Sequence, residues 1–326
     1  MSEGHASGSD GQASGWLRSL HRYRQLAIVT TVGICVLVVA GGVVRLTGSG
    51  LGCDDWPNCN AERFVDVSSG HTAIEQVNRL LSGLIGVPTL LLAIASFRQR
   101  DADGERRIGV RWPAVGVLVS VLANGVVGGI AVRGDLHPAL VQSHFLLAMV
   151  SISFGMGAIH RSRSRPSPTH PSPLRSAGPS VASMSVLVAV LTAAALVTGT
   201  IVTGTGPHAG EEDVRRFGFD ISNVARLHSI TVIATLLVAC ALAWSVRSGG
   251  PSAVTSTLSA WIFVGFLQGA VGYTQYFNGV PELLVGVHIA LATILWVLTM
   301  RLVLLARNAV VTERATGIAP ALLENA

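Results

Sequence analysis

Eight long apolar stretches constrain what this chain can fold into. Each is long enough to cross about 30 Å of hydrocarbon as an α-helix. Half of the 326 residues are apolar and 13% are charged, a balance typical of a polytopic membrane protein and not of a soluble domain. The sequence therefore predicts an all-α membrane protein with eight transmembrane helices, near residues 25–46, 72–96, 112–132, 138–159, 181–203, 223–246, 254–274 and 282–304.

The sequence also contains an internal repeat. The segments NGVVGGIAVRGDLHPALVQSH and QGAVGYTQYFNGVPELLVGVH share one spacing and several identities, among them Gly125/Gly269, Gly128/Gly272, Leu140/Leu284 and His144/His288. A second match lies upstream, between Thr47-Gly-Ser-Gly50 and Thr203-Gly-Thr-Gly206. We interpret the chain as two tandem homologous four-helix bundles, residues 25–159 and residues 181–304.

The basic residues predict the orientation in the membrane. All 23 residues of the Lys and Arg class are arginine, and most lie in the two tails and in the loops at 97–111, 160–180 and 247–253. Basic loops stay in the cytoplasm, so both termini are predicted to be cytoplasmic in a multi-pass protein of the plasma membrane. The net positive charge reflects this topology and does not indicate nucleic-acid binding.

Three polar segments flank or join the halves. Residues 1–24 are expected to form a disordered cytoplasmic tail, because they are polar and rich in glycine and serine. Residues 160–180 are rich in proline, serine and arginine and are predicted to be a cytoplasmic linker. Residues 305–326 are predicted to be a second cytoplasmic tail.

Three histidines, His144, His228 and His288, lie inside apolar stretches. A lone histidine there can simply join two helices by a hydrogen bond, but an ionisable residue in hydrocarbon is also a candidate for a functional site. His228 and His288 belong to the same half, and two facing imidazoles hold the iron of a b-type haem. His144 matches His288 in the repeat, whereas the position that matches His228 lies close to Asn78.

Charged residues near the outer surface also point to two ligand pockets, one around His228 and His288 and the other around His144 and Asn78. Arg45, Arg79 and Arg226 depart from the cytoplasmic trend, and a guanidinium can pair with a haem propionate; snorkelling to the interface is the alternative. Glu75 shares a helix face with Asn78. Two interpretations of Glu75 stay open: a structural ion pair with Arg79, or a catalytic role in proton transfer or cation stabilisation.

Two cysteines, Cys53 and Cys59, lie in the first predicted external loop. An oxidising exterior allows a disulfide between them, and a pair of free thiols is the alternative. A zinc site is disfavoured, because no further thiolate or well-spaced histidine is near them in the sequence.

These residues resemble one known family. The run Arg45-Leu-Thr-Gly-Ser-Gly-Leu-Gly-Cys53, followed by Asp-Asp-Trp56-Pro57-Asn-Cys59, closely resembles the first external loop of the haem A synthases, and Glu75-x-x-Asn78-Arg79 is similar to their Glu-x-x-His-Arg motif. The resemblance extends over all eight apolar stretches. It implies a membrane enzyme that oxidises the C8 methyl group of haem O to a formyl group, giving haem A for cytochrome c oxidase.

The resemblance also implies roles for individual residues. His228 and His288 would hold a resident haem b, with Arg226, Arg79 and Arg45 near the haem groups, and haem O would bind beside His144 and Asn78. Glu75 would be the catalytic carboxylate, and Cys53 and Cys59 would match the external cysteine pair. The implied partners are haem O synthase, the assembly of cytochrome c oxidase, a quinol or other electron donor, and membrane lipid, with no nucleic acid.

Asn78 departs from the family motif. Asparagine is a poor iron ligand, so two-histidine ligation of the substrate is in doubt; His71, two turns farther out, is a weak substitute. Weaker ligation suits a product that must leave.

Two other functions remain open: a b-type cytochrome that passes electrons between quinol and a partner, and a transporter, which the repeat alone would favour. The carboxylate of Glu75, next to a pocket that has only one of the two histidine ligands, favours the oxidase.

Overall fold

The computed structural model describes residues 19–100, 104–163, 179–208 and 213–316. Within these ranges lie eight α-helices that are long and apolar enough to cross a membrane, which confirms the predicted polytopic all-α fold. The helices are α1 (Leu20–Leu46), α2 (Gly70–Arg98), α3 (Arg111–Arg133), α4 (Pro138–Arg161), α5 (Pro179–Thr205), α6 (Ile221–Val246), α7 (Ser252–Phe277) and α8 (Glu282–Thr316).

Side-chain caps define several helix starts. The side chains of Ser69 and Asp220 accept backbone N–H hydrogen bonds at the starts of α2 and α6, and His137 does the same for α4, with Pro138 as its first residue. These caps satisfy N–H groups that have no partner within the helix.

Two helices extend into segments that were predicted to be tails. Helix α1 begins at Leu20, within the predicted N-terminal tail, and α8 continues to Thr316. Helix α8 can continue because neither glycine nor proline follows Gly286 before Gly317. The predicted disorder of residues 1–18 lies outside the described residues, as do most of the linker (164–178) and the last ten residues (317–326).

The chain divides into two compact units. Among the described residues, the N-terminal unit contains 19–100, 104–163, 208 and 213–216, and the C-terminal unit contains 179–207 and 217–316. In the N-terminal unit, α1 packs against α2 and α4, and α3 packs against the same two helices. In the C-terminal unit, α5 and α7 each pack against α6 and α8. Each unit is therefore a ring of four helices with the same packing order, as the sequence repeat indicates.

The C-terminal unit is tightly packed at only one end. Its core lies where α5 and α7 begin and α6 and α8 end, and it includes Val188, Leu242, Leu258, Trp261 and Leu302. The indole N–H of Trp261 donates to Thr299 Oγ1 at 2.7 Å within this end. At the opposite end no side chain is buried in 193–203, 221–234, 269–277 or 282–292. The helices leave a space there, and His228 and His288 lie in it.

The N-terminal unit has an unfilled level between two packed ones. One packed level includes Tyr23, Leu92, Val117 and Ile152, and Tyr23 Oη donates to the carbonyl of Val110 at 3.0 Å. The other lies at the opposite end of the bundle and includes Glu75, Gly129 and Leu136. Between them no side chain is buried in 35–41, 77–88, 121–128 or 139–147. This level contains Asn78, Asn124, Gly128 and His144.

Candidate functional site: two pockets built around histidines

The C-terminal unit places two imidazoles opposite each other. The rings of His228 on α6 and His288 on α8 have centroids 6.5 Å apart, and their planes meet at 73°. A metal ion held between two imidazole nitrogens at about 2 Å from each places the ring centres about 6 Å apart. The spacing of the two histidines fits an iron atom between them.

A hydrogen bond orients His228 for such a role. Its Nδ1 lies 3.1 Å from Thr198 Oγ1, and that hydroxyl lies 2.9 Å from the carbonyl of Ala194. When the hydroxyl donates its proton to this carbonyl, it accepts a hydrogen bond from Nδ1–H in the tautomer that is protonated at Nδ1. The lone pair of Nε2 is then left for a metal ion, which is the arrangement that metal-binding histidines use.

Glycines make room for both rings. A Cβ atom added at Gly199 would lie 3.0 Å from Cε1 of His228, and one added at Gly272 would lie 3.1 Å from Cε1 of His288. Larger residues at either position would displace the imidazoles. Together with the unfilled space between the helices, these contacts are compatible with a ligand held between the two histidines, and a haem in this place stays a prediction.

The N-terminal unit repeats one side of this pocket. The His144 ring on α4 lies against Gly128 on α3, where an added Cβ atom would lie 2.9 Å from its Cε1. Asn124, Gly128 and His144 match Gln268, Gly272 and His288 in the sequence repeat. The predicted equivalence of His144 and His288 therefore extends to the residues around each ring.

Two amide side chains lie in the same level of the N-terminal unit. Asn78 and Asn124 are both half-buried, and the Oδ1 atom of each is buried without a hydrogen bond to any residue that the structure describes. Buried polar atoms normally have partners. Two unpartnered amide oxygens in an unfilled level mark a place where a polar ligand can bind.

Glu75 connects α2 to the loop between α1 and α2. Its side chain is buried; Oε1 accepts hydrogen bonds from Arg79 Nε at 3.0 Å and Nη2 at 2.6 Å, and Oε2 accepts one from the backbone N–H of Cys53 at 2.7 Å. Arg79 Nη1 donates to the carbonyls of Asp55 and Asn58. The ion pair considered from the sequence is present, and a catalytic role for Glu75 stays a prediction.

The same loop closes one end of the N-terminal unit. Cys53 and Cys59 form a disulfide and are both buried. The Trp56 ring lies against Gly129 of α3, and Arg133 donates to the Trp56 carbonyl and to Asp55 Oδ1. The Trp56 backbone N–H, and then Arg133, hold the pKa of Asp55 below its usual range, so the carboxylate is ionised at neutral pH.

The remaining candidate residues lie near these pockets. Arg45 is half-buried in the last turn of α1, close to the guanidinium of Arg216, and Arg226 is exposed two residues before His228. Their contact with a ligand carboxylate stays a prediction. His71 is exposed in the first turn of α2, and its Nδ1 lies 3.0 Å from Ser49 Oγ, so it supports the loop.

Sequence reasoning missed three supporting features. Thr198 beside His228 could not be recognised before the helices were assembled. Asn124 could have been found, because it matches Gln268 in the repeat. The segment at 213–216 follows α5 in the chain yet belongs to the N-terminal unit, where Val214 packs with Leu136.

Comparisons with known proteins agree with this architecture. A family model described as "Cytochrome oxidase assembly protein" matches residues 24–69 and 64–300. A protein named "Heme A synthase" from Bacillus mycoides (strain KBAB4) is 33% identical over 129 residues, and proteins of the same name from Bacillus cereus (strain AH187) and Bacillus anthracis (strain A0248) are 32% identical over 129 residues. Each match covers 39% of this chain and 40% of the relative.

The two kinds of match differ in extent. The chain spans about two fifths of the length of these curated relatives. The family match, in contrast, runs from α1 into α8 and includes both histidine pockets. This chain therefore belongs to the family of cytochrome oxidase assembly proteins.

Proposed function

We propose that this protein is a haem A synthase, which oxidises the C8 methyl group of haem O to a formyl group and so supplies haem A for cytochrome c oxidase. The paired imidazoles of the C-terminal unit, accompanied by a matching pocket with one histidine, carry this proposal. Family membership and the name of the curated relatives support it. A b-type cytochrome would need no second, differently built pocket with a buried carboxylate beside it.

The C-terminal unit is proposed to hold a resident haem b. His228 and His288 would bind its iron, Thr198 would fix the orientation of His228, and Arg226 would pair with a propionate. When bound, this haem supplies one-electron transfer. The packed end of the bundle keeps the two helices that carry the histidines at a fixed separation, so the ligands are preorganised.

The N-terminal unit is proposed to bind haem O. His144 would bind the substrate iron, Asn78 would line the pocket, and Arg45 and Arg79 would lie near the propionates. Glu75 would stabilise positive charge or accept a proton as the methyl group is oxidised, since its buried carboxylate is held ready by Arg79 and the Cys53 N–H. The loop that carries the disulfide would exclude water from this end of the unit.

The surroundings of the enzyme follow from its chemistry and charge. We place it in the plasma membrane with both termini in the cytoplasm, because arginine-rich loops are retained in the cytoplasm when a membrane protein inserts. A haem O synthase would supply the substrate, and the assembly of cytochrome c oxidase would receive the product. A quinol or another electron carrier would exchange electrons with the haem b.

Haem extraction tests the proposed activity. The full-length chain is expressed in cells that make haem O but lack haem A, and the extracted haems are separated by chromatography. We expect haem A with the wild-type chain and with the control variant His21→Ala, whose imidazole is exposed at the start of α1. We expect none with His144→Ala. A purified wild-type protein that contains only haem b and produces no haem A would instead indicate a b-type cytochrome.

Absorption and electron paramagnetic resonance spectra test the haem b site. His228→Ala and His288→Ala should each abolish the low-spin signal expected for ligation by two histidines, whereas His144→Ala should keep it. A wild-type low-spin spectrum in either of the first two variants would contradict the assignment of the ligands.

A further inference from the structure

The two pockets differ on one side only. In the C-terminal unit, His228 is accompanied by Thr198, which orients its ring, and by Gly199, which makes room for it. The match between Thr47-Gly-Ser-Gly50 and Thr203-Gly-Thr-Gly206 aligns Thr198 with Gly42 and Gly199 with Val43. The orienting hydroxyl and the space for the ring are thus both replaced in the N-terminal unit.

The histidine itself is replaced as well. Helix α2 has a single histidine, His71, and its Nδ1 is within hydrogen-bond distance of Ser49 at the loop. At the level of the pocket α2 presents Asn78 instead. On the other side of the pocket Gly128 and His144 correspond to Gly272 and His288, and a shorter amide, Asn124, takes the place of Gln268.

Two aligned replacements on α1 and an asparagine at the pocket level of α2, beside a retained histidine and glycine on the other side, indicate a pocket built for one-sided ligation. A single lost histidine would leave its supporting residues in place. At the aligned positions Gly42 has no side chain that could hold an imidazole, and the exposed Val43 is branched where the C-terminal unit has the glycine beside His228. Asparagine is a poor iron ligand. A packing role does not explain Asn78 either, because its Oδ1 is buried and makes no hydrogen bond with the described residues.

We propose that the N-terminal unit binds the iron of its porphyrin substrate from one side only, through His144, and that the other side stays open to a small ligand that is hydrogen-bonded by the Asn78 amide. This inference rests on the proposed function. An amide can accept a hydrogen bond from water through Oδ1 and donate one through Nδ2, so it suits a small polar ligand. Asn78 is thus a positioning residue for the open face of the substrate.

Carbon monoxide is a suitable probe of an open iron site. The full-length protein, purified in detergent with haem b in place, is loaded with haem O, reduced and exposed to carbon monoxide. We expect one high-spin iron that binds carbon monoxide and one low-spin iron that does not. His144→Ala should lose the iron that binds carbon monoxide and keep the low-spin signal.

Two further variants test the open side. Gly42→Thr/Val43→Gly/Asn78→His transfers the three features of the C-terminal pocket, and it should convert the high-spin iron to low-spin and abolish carbon monoxide binding. Asn78→Leu should keep carbon monoxide binding but shift the infrared stretching band of the bound molecule, because a polar contact is lost. Ser82→Ala, one turn farther along α2 with an exposed side chain, should leave the band unchanged.

The outcomes separate the two proposals. A wild-type protein that retains haem O in a low-spin form inert to carbon monoxide would overturn one-sided ligation and leave the proposed function standing. An unshifted band in Asn78→Leu would overturn the role of Asn78, even if the triple variant fails to fold. A folded protein with intact haem b that retains no haem O would overturn the proposed function, and the inference with it.

Discussion

At the scale of single residues, Glu75 shows how the two interpretations of one side chain can be separated. Both carboxylate oxygens accept hydrogen bonds, from Arg79 and from the Cys53 N–H, and the guanidinium makes the contact with Arg79 a charge-assisted one. The paired carboxylate lies one turn before Asn78 on α2, beside the pocket of the N-terminal unit. It can stabilise developing positive charge, and it also anchors the loop.

Replacing Glu75 by glutamine distinguishes catalysis from anchoring. Glu75→Gln preserves the shape of the side chain and does not touch His228 or His288, so the haem b spectrum should stay unchanged. If the carboxylate takes part in the oxidation, haem A formation should fall by about two to four powers of ten, and haem O or a hydroxylated intermediate should accumulate in the extracted haems.

The control for this prediction is Arg79→Gln, which removes the partner but leaves the carboxylate. Equal losses in the two single variants and in the double variant would indicate that the pair acts as one structural unit. Near-normal haem A in Glu75→Gln would reduce Glu75 to a structural partner of Arg79.

At the scale of elements, the loop between α1 and α2 behaves as a folded cap. Its disulfide, the Trp56 contact with Gly129 and the hydrogen bonds from Arg79 and Arg133 tie it to α2 and α3. The cysteine pair could be predicted from its compartment and spacing. The arginine contacts could not, because their acceptors are backbone carbonyls and carry no signal in the sequence.

The disulfide between Cys53 and Cys59 should be present in protein isolated without reductant. Mass spectrometry after alkylation, with and without prior reduction, measures it; alkylation of both thiols in unreduced active protein would contradict it. Because the closed loop is short, with a separation of 6 residues, Cys53→Ser/Cys59→Ser should lower the free energy of unfolding by about 2 kcal/mol. The remaining contacts should keep the loop near α2.

The helices themselves could be predicted from the sequence to within a few residues, since uninterrupted apolar runs of that length have one stable form in a bilayer. The ends of the helices were less well predicted. Helix α8 extends beyond residue 304, where the apolar run ends, because no glycine or proline interrupts it before Gly317. The intramembrane histidines were recognisable because a polar ring in hydrocarbon is unusual. Thr198 was not, because hydroxyls that bond to their own helix are common in such segments.

At the scale of the whole molecule, the repeat predicted two four-helix bundles, and each unit shows the same ring of helix contacts. Residues 213–216 are the exception, since they follow α5 but cluster with the N-terminal unit. Chain order could not reveal this, because the packing of Val214 against Leu136 depends on the assembled bundle. The proposed function therefore rests on two pockets that share a plan but differ in the residues that line them.

The repeat also makes a prediction about topology. Four helices return the chain to the side on which it started, so both halves should have the same orientation, and the arginine-rich loops should keep that side in the cytoplasm. Ser68 in the loop after α1 and Ser248 in the loop after α6 are both exposed and form a matched pair. In a background in which Cys35 and Cys240 are serine, a membrane-impermeant maleimide should label Ser68→Cys in intact cells, and Ser248→Cys only after the membrane is permeabilised. The reverse pattern would place the disulfide loop in the cytoplasm, where a disulfide is not stable, and would contradict the predicted topology.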